Sequence, residues 1–300
     1  MTRSSQKPLH SLRDHADSEA VLRRVLVALG PYRKDLILIG GWVPYLYQRF
    51  GGFPEWQMEI ARTVELDLVI PSPLASEERP PLAKILGDAG FSPISGNEGA
   101  IWIRDGADDE MIEFFTAHEG TARQMGKPRQ ISGQTALAAI SLTQLPLLTE
   151  QIRILAIGAD VGDATLTVRV PTLGGYILNK ALTFTERLST SDDGVLKAAK
   201  DIVYMRDVMA GGENVRAQVR SDIKLLVKGN KSRLGLVKTA GERVRQLKVG
   251  TSRVLDVAVS QLEVQHRLTS DSGARADLIG YIELLADLLG EIRQKRGRHR

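Results

Sequence analysis

Two short aliphatic runs, at residues 36–39 and 64–70, place the strongest limit on what this chain can fold into. Both runs are bounded by Gly or Pro, a pattern that is typical of buried β-strands. The second run contains Glu65 and Asp67. Side chains two positions apart in a strand point to the same face, so these carboxylates lie side by side while the intervening leucines enter the core. Adjacent anions repel each other unless a cation lies between them, which makes a divalent metal site the first hypothesis.

The pattern of apolar residues divides the chain into two parts near residue 171. Residues 1–15 are polar and are predicted to be disordered. Residues 16–171 mix strand and helix patterns and are predicted to form one α/β (α+β) domain. Residues 172–300 show apolar positions at i, i+3, i+4 and i+7, which predicts a helical domain. In the last helix, 274–296, the apolar stripe is assigned to packing rather than to ligand binding.

Each element is predicted from its own period and its Gly or Pro boundaries. The predicted strands are 36–40, 64–70, 91–94, 100–104, 111–116, 152–157 and 165–170. The predicted helices are 16–29, 42–50, 81–90, 136–140, 173–188, 194–210, 213–228, 231–248, 251–268 and 274–296. An acidic turn at 105–109 is predicted to join two of the strands into a hairpin.

Composition excludes several kinds of site. The 300 residues contain no cysteine, which excludes disulfides, thiolate zinc sites and thiol nucleophiles. The five histidines are scattered, so a histidine metal site is not predicted. They are His10, His15, His118, His266 and His299. No apolar run approaches the roughly 20 residues of a membrane helix, and the first residues lack the apolar segment of a signal peptide. A cytoplasmic protein without a membrane partner is therefore expected.

The charge is distributed unevenly. Residues 1–210 contain 22 basic and 26 acidic residues, whereas residues 211–300 contain 18 basic and 10 acidic ones. A basic C-terminal third attracts phosphate backbones such as that of RNA. A solvated helical face that happens to be basic accounts for the same excess. Both interpretations remain open at this point.

A third carboxylate lies on a predicted strand. Glu113 is flanked by apolar residues on both sides, where a carboxylate is costly unless it is paired or binds a metal. Pairing with Arg104 across the hairpin is one alternative, and for Glu65 a solvent-facing position is another. Three carboxylates on adjacent strands can hold two Mg²⁺ ions through oxygen ligands. Two metals roughly 3.5–4 Å apart serve in-line phosphoryl or nucleotidyl displacement.

The order of these motifs resembles a known superfamily. Gly40-Gly41-Trp42 follows the first strand, Glu65-Leu66-Asp67 lies on the second, and a later strand supplies another acid. This order is similar to that of the nucleotidyltransferase superfamily with the DNA polymerase β-like palm. The stretch from Lys180 to Arg187 resembles the K-x6-R helix of the AbiEii-like branch. Lys200-Asp201-Ile202-Val203-Tyr204 resembles the helix that follows it there, and the resemblance covers about residues 18–210.

The resemblance implies a nucleotidyltransferase palm with a mixed sheet, followed by a C-terminal helical domain. Glu65 and Asp67 would bind Mg²⁺ (or Mn²⁺). Glu113 would complete the triad and help to deprotonate the attacking hydroxyl. Gly40 and Gly41 would cradle the triphosphate of an NTP through backbone amides at a helix N-terminus.

The helical motifs imply a second set of contacts to the nucleotide. Lys180 would contact a phosphate as a point charge, with Arg187 on the same helix face. Asp201 would lie beside the nucleotide, as a base or as a group that orients Lys180. A salt-bridge ladder of Lys180 and Arg187 with Glu186 or Asp201 is the structural alternative.

The predicted function is Mg²⁺-dependent transfer of a nucleoside monophosphate from an NTP to a hydroxyl acceptor. The basic helical part favours an RNA end as acceptor, and the AbiEii-like resemblance implies a toxin that is held inactive by an antitoxin protein. The Gly40-Gly41-Trp42 turn also resembles aminoglycoside nucleotidyltransferases, so a small-molecule acceptor is an alternative. Glu65 stands where the superfamily pattern has Asp, so a catalytically degraded nucleotide-binding or scaffold protein is another alternative.

Overall fold

The structure is a computed structural model that describes residues 15–60, 63, 65–75, 78–119, 126–157, 165–188, 192–249, 253–266 and 271–294. The predicted disorder of the N-terminus therefore falls outside the described residues, except for His15, which begins the first helix.

The chain forms two compact units. The first unit contains residues 1–42, 62–143 and 156–169, and the second contains residues 43–61, 144–155 and 170–300. Each unit therefore draws on separate stretches of the sequence. The predicted domain boundary near residue 171 stays a prediction.

A mixed sheet of seven described strands forms the centre of the first unit. The strands are β1 (Ile37–Ile39), β2 (Glu65–Val69), β3 (Phe91–Pro93), β4 (Ile101–Arg104), β5 (Ala107–Ala117), β6 (Pro128–Gln130) and β7 (Ala138–Leu142). The long strand β5 runs parallel to β2 and β7 and antiparallel to β4. Strands β1, β3 and β6 pair antiparallel with β2, β4 and β7. A separate two-stranded sheet contains β8 (Ile152–Ala156) and β9 (Thr167–Pro171).

Helices make up most of the second unit. The α-helices of the chain are α1 (His15–Ala28), α2 (Trp42–Phe50), α3 (Leu82–Asp88), α4 (Pro146–Thr149), α5 (Leu173–Arg187), α6 (Asp192–Met209), α7 (Glu213–Val227), α8 (Lys231–Val249), α9 (Arg253–His266) and α10 (Asp271–Gln294). Among the residues that the structure describes, no helix has the combination of length and hydropathy that crossing a membrane requires. The mixed α/β architecture with C-terminal helices confirms the predicted fold class.

The burial of side chains follows the hydrophobic periods from which these elements are predicted. Leu66 and Leu68 of β2 are each 1% exposed, whereas Glu65 and Asp67 between them are half-exposed. The apolar stripe of α10 is buried at almost every position, and Leu278 and Leu285 are fully buried. The alternation in the strand and the stripe in the helix are therefore confirmed.

Two local predictions are wrong. The predicted helix at 136–140 is instead strand β7, because this short apolar run pairs with β5 and β6. A run of that length does not distinguish a buried strand from a buried helix. The predicted turn at 105–109 is shorter than expected, since β5 already begins at Ala107. The hairpin register shifts between Ile103 and Arg104, and this irregularity accommodates the early start of the strand.

Glu110 connects α1 to the hairpin through two ion pairs. Its carboxylate accepts hydrogen bonds from Arg24 at 2.6 Å and from Arg104 at 2.9 Å. The Glu110 side chain is 7% exposed, whereas the two arginines are 49% and 35% exposed. Burial alone would raise the pKa of Glu110, but the hydrogen bonds from Arg104 and Arg24 outweigh it, so the pKa is lowered.

This lowered pKa predicts an acid-dependent stability. A carboxylate with a folded-state pKa below its unfolded value of about 4.3 stabilises the fold above that pH, and the contribution is lost as the pH falls through the folded-state pKa. Glu110→Gln should therefore destabilise the protein by about 1–3 kcal/mol at pH 7, and by less below pH 4. Urea unfolding between pH 3 and pH 8 measures this difference.

Glu119→Gln is the matched control, because Glu119 pairs with Arg129 while both side chains are largely exposed. Exposed pairs contribute at most about 1 kcal/mol. An equal loss of stability in both variants at pH 7 would contradict the role assigned to Glu110.

Candidate functional site

Three predicted carboxylates lie on one face of two adjacent parallel strands, and we call this set the acid face: Glu65, Asp67 and Glu113. In the register of β2 and β5, Asp67 lies opposite Glu113 and Glu65 lies opposite Met111. All three acids are half-exposed. The parallel pairing therefore joins the E-x-D strand to the third acid as the sequence predicted.

Gly40 contacts the acid face directly. It has a φ of +75°, in the left-handed region that favours glycine, and it begins the turn that follows β1. A β-carbon added at Gly40 would overlap with Asp67 Oδ2 and lie 2.8 Å from Asp67 Cγ. The Asp67 carboxylate thus occupies the space that any other residue at position 40 would fill. Backbone conformation and packing both require glycine here, and they tie the glycine turn to the acid face.

The acid face offers oxygen donors that suit a divalent cation, but its side chains do not form a closed coordination site. Carboxylate oxygens are the ligands that Mg²⁺ prefers, and solvent reaches all three side chains. Within the described part of the chain, no three histidine, aspartate or glutamate side chains are arranged as a complete metal-binding set. The sheet therefore brings the backbone positions of the three acids together on one face.

The sequence offered Arg104 as an alternative partner for Glu113. In the structure Arg104 donates a hydrogen bond to Glu110. Sequence inspection did not single out Glu110. It lies three residues before Glu113 on β5, which places it on the opposite face of a regular strand. The ion pairs of Glu110 and the acid face thus belong to different sides of the sheet.

The predicted residues of α5 and α6 form a second group, which we call the lysine cluster: Lys180, Arg187 and Asp201. Asp201 is 1% exposed and its carboxylate lies 2.7 Å from Lys180 Nζ and 3.0 Å from Arg187 Nη1. Thr183 Oγ1 donates to the same carboxylate at 3.3 Å. Of the acids that the sequence offered as partners, Asp201 pairs with both cations, whereas Glu186 pairs with Arg243.

Two aromatic rings also contact Lys180. Its ammonium lies 5.6 Å from the ring centroid of Tyr176 and 5.5 Å from that of Tyr204, within the range of cation–π attraction. Lys180 itself is only 8% exposed. Sequence reasoning missed the role of Tyr176, although its i, i+4 spacing from Lys180 placed both on one helix face. Asp201 and the two rings together fix the lysine head group.

The start of α5 is fixed by a buried carboxylate. Asp222 Oδ2 accepts the Gly174 backbone N–H at 3.1 Å, and its Oδ1 accepts from Gln218 Nε2 at 2.6 Å. A β-carbon on Gly174 would lie 2.5 Å from Asp222 Cβ, so only glycine permits this approach. Burial raises the pKa of Asp222 above its ordinary value, although these hydrogen bonds act in the opposite direction. An anion at a helix N-terminus is stabilised by the helix dipole, and it anchors the helix that carries Lys180.

The eight predicted site residues thus fall into two sets. The first unit contains Gly40, Gly41 and the acid face, and the second contains the lysine cluster. In the first set, Asp67 lies opposite Glu113 and Gly40 packs against Asp67, with Gly41 next in the same turn. In the second set, Lys180 and Arg187 both pair with Asp201. The structure adds Tyr176, Thr183 and Asp222 to the second set.

Comparison with known proteins identifies the family. A family model described as nucleotidyltransferase matches residues 17–221, which are 205 of the 300 residues. The match includes the acid face and the lysine cluster. Neither the curated proteins nor the solved structures provide a match. Because the family model spans more than half of the chain, the protein belongs to this nucleotidyltransferase family.

Proposed function

We propose that the protein transfers a nucleoside monophosphate from an NTP to a hydroxyl acceptor in a Mg²⁺-dependent reaction that releases pyrophosphate. The observation that carries this proposal is the register that sets Asp67 beside Glu113, with Gly40 packed against Asp67. Membership of the family supports nucleotidyl transfer in general. The metal, the acceptor and the residue roles are our proposal.

The acid face would hold Mg²⁺, or Mn²⁺ in its place. The bound metal supplies charge stabilisation for the attacking and leaving oxygens. The acceptor oxygen forms a bond to the α-phosphorus, and the bond from that phosphorus to pyrophosphate breaks. Glu113 accepts the proton of the acceptor hydroxyl. Backbone N–H groups of Gly40 and Gly41 donate to the phosphates at the start of α2.

The lysine cluster would bind phosphate oxygens of the nucleotide. Lys180 supplies a compact positive charge, and Asp201 orients it rather than acting as the base. The contacts that support this role are the hydrogen bonds that Asp201 already accepts from Lys180 and Thr183, together with its burial. Arg187, 37% exposed, provides a second cation that solvent and ligands can reach.

We further propose that the acceptor is an RNA end and that the protein acts as an AbiEii-like toxin with an antitoxin partner. The Lys180–Arg187 helix and the Asp201 helix resemble that branch in sequence, and their charged residues form one ion-pair cluster. Toxicity on overexpression should depend on the acid face, and co-expression of the antitoxin should suppress it.

Label transfer from α-³²P-NTPs tests the proposed reaction. The protein is incubated with Mg²⁺ or Mn²⁺, each NTP in turn, and either total RNA or a set of aminoglycosides. We expect metal-dependent label on RNA. Label on the aminoglycosides alone would replace the RNA acceptor with a small molecule. NTP binding without transfer to RNA, protein or small molecules would overturn the enzymatic proposal in favour of a degraded nucleotide-binding protein.

A further inference from the structure

The turn between α7 and α8 carries an unusual density of positive charge. Between Asp222 and Glu242 the chain contains five lysine or arginine residues and no acid. Three of these cations are exposed lysines that, in the part of the chain that the structure describes, take part in no ion pair. We call them the basic turn: Lys224, Lys228 and Lys231.

The cations that flank the basic turn along the chain each have an acidic partner. Arg233 of α8 pairs with Glu150, and Lys238 lies 3.8 Å from Glu242 one turn further along the same helix. Arg220, one turn before Lys224, lies 3.5 Å from Glu291. These three cations are therefore paired with carboxylates, whereas the exposed lysines of the basic turn face solvent.

Helix stability accounts for only part of this arrangement. Lys224 and Lys228 lie at the end of α7, where the helix dipole favours cations, although the two like charges are four positions apart and repel each other. Lys231 is the first residue of α8, where a cation opposes the helix dipole. The placement of Lys231 is therefore unfavourable to the isolated fold, and a polyanionic partner accounts for the three charges together.

We propose that the basic turn binds the phosphate backbone of single-stranded RNA, and so holds the acceptor of the proposed reaction. The inference rests on the proposed function only for the identity of that acceptor. Three separate point charges suit a chain of regularly spaced phosphates. Leu225, 56% exposed beside Lys224, offers an apolar contact to a base. A lipid surface would require a broad apolar face, and one exposed leucine among lysines does not provide it.

Binding of a fluorescent 20-nucleotide single-stranded RNA, without NTP or metal, tests this inference. The test variant is Lys224→Gln/Lys228→Gln/Lys231→Gln in the full-length protein. Each phosphate contact adds about 0.7 to the slope of log affinity against log salt concentration. We therefore expect the slope to fall by about 2, and affinity at 0.1 M salt to fall by about 100-fold.

The control is Lys84→Gln/Lys127→Gln/Lys197→Gln, which removes three exposed lysines elsewhere in the chain. It has the same net charge as the test variant and should keep the wild-type slope. Equal losses in both variants would overturn the proposal, since the effect would then be one of net charge. Unchanged RNA binding in the test variant, with lost binding to phosphatidylserine vesicles, would overturn it in favour of a lipid surface.

The measurement also separates this inference from the proposed function. RNA binding is read without catalysis, so a protein that binds RNA through the basic turn but transfers no label would contradict the proposed reaction alone. If the protein transfers label to RNA and the test variant keeps the wild-type KM for RNA, only the role of the basic turn is contradicted, and the proposed reaction stands. Far-UV circular dichroism of both variants checks that α7 and α8 remain folded.

Discussion

Asp67→Asn should lower nucleotidyl transfer by about 100- to 1,000-fold, the range found when one preorganised electrostatic contact to a transition state is removed. The substitution keeps the shape of a side chain that packs against Gly40, but it removes the charge that the acid face offers to a metal. The fold should tolerate it, because asparagine has nearly the same size and the side chain is half-exposed. Label transfer from α-³²P-NTPs, measured together with the thermal unfolding midpoint, reports both effects.

Asp88→Asn makes the same chemical change on α3, where the side chain is 66% exposed and pairs with Lys84. It should leave transfer unchanged. Glu113→Gln should reproduce the loss seen for Asp67→Asn, since both acids belong to the acid face. Transfer by Asp67→Asn within twofold of wild type would show that the acid face is not the site of the reaction.

Asp201→Ala should destabilise the protein by about 3–5 kcal/mol, because it leaves the ammonium of Lys180 buried without its carboxylate. Lys180 is 10% exposed at its side chain, whereas Arg187 at 37% can regain water. Most of the cost should therefore come from the lysine. Urea unfolding followed by far-UV circular dichroism gives the change, and Lys197→Ala, which breaks an exposed pair with Asp193, should change stability by at most about 1 kcal/mol.

A double variant separates the structural role of the lysine cluster from its proposed catalytic role. Lys180→Met/Asp201→Asn removes both buried charges, and neutral replacement of a buried ion pair is often close to neutral for stability. We expect it to regain much of the stability lost in Asp201→Ala but not the activity. Recovery of activity along with stability would contradict a phosphate contact by Lys180 and leave the cluster a purely structural role.

Elements were predicted correctly from the sequence where a local pattern decides them, and wrongly where pairing between distant residues decides them. Strand β2 was predicted because alternation of leucines and acids is visible within five residues, and α10 because its apolar stripe repeats along one helix. The prediction for 136–140 was wrong because that run is too short to show a period. Its pairing with β5, which decides that it is a strand, depends on residues more than twenty positions away.

The functional residues also divide into those set by local patterns and those set by long-range contacts. The nucleotidyltransferase family could be identified from the order of the glycine turn and the acids, because such motifs are local and ordered along the chain. The ion pairs of Glu110 could not be predicted, since Arg24 approaches it from a helix 86 positions away. The cap that Asp222 provides to α5 was also missed, because its partner Gly174 lies 48 positions earlier.

By itself, the sequence determined most of the strands and helices and which of their faces are apolar, because backbone geometry imposes a period on each element that is long enough to show it. It also determined the residue types at the acid face and the lysine cluster. Only the tertiary structure decided that Asp67 lies opposite Glu113, 46 positions away, that Gly40 leaves room for that carboxylate, and that Asp201 neutralises Lys180. Those contacts follow from strand register and helix packing, which depend on the whole fold rather than on any local pattern.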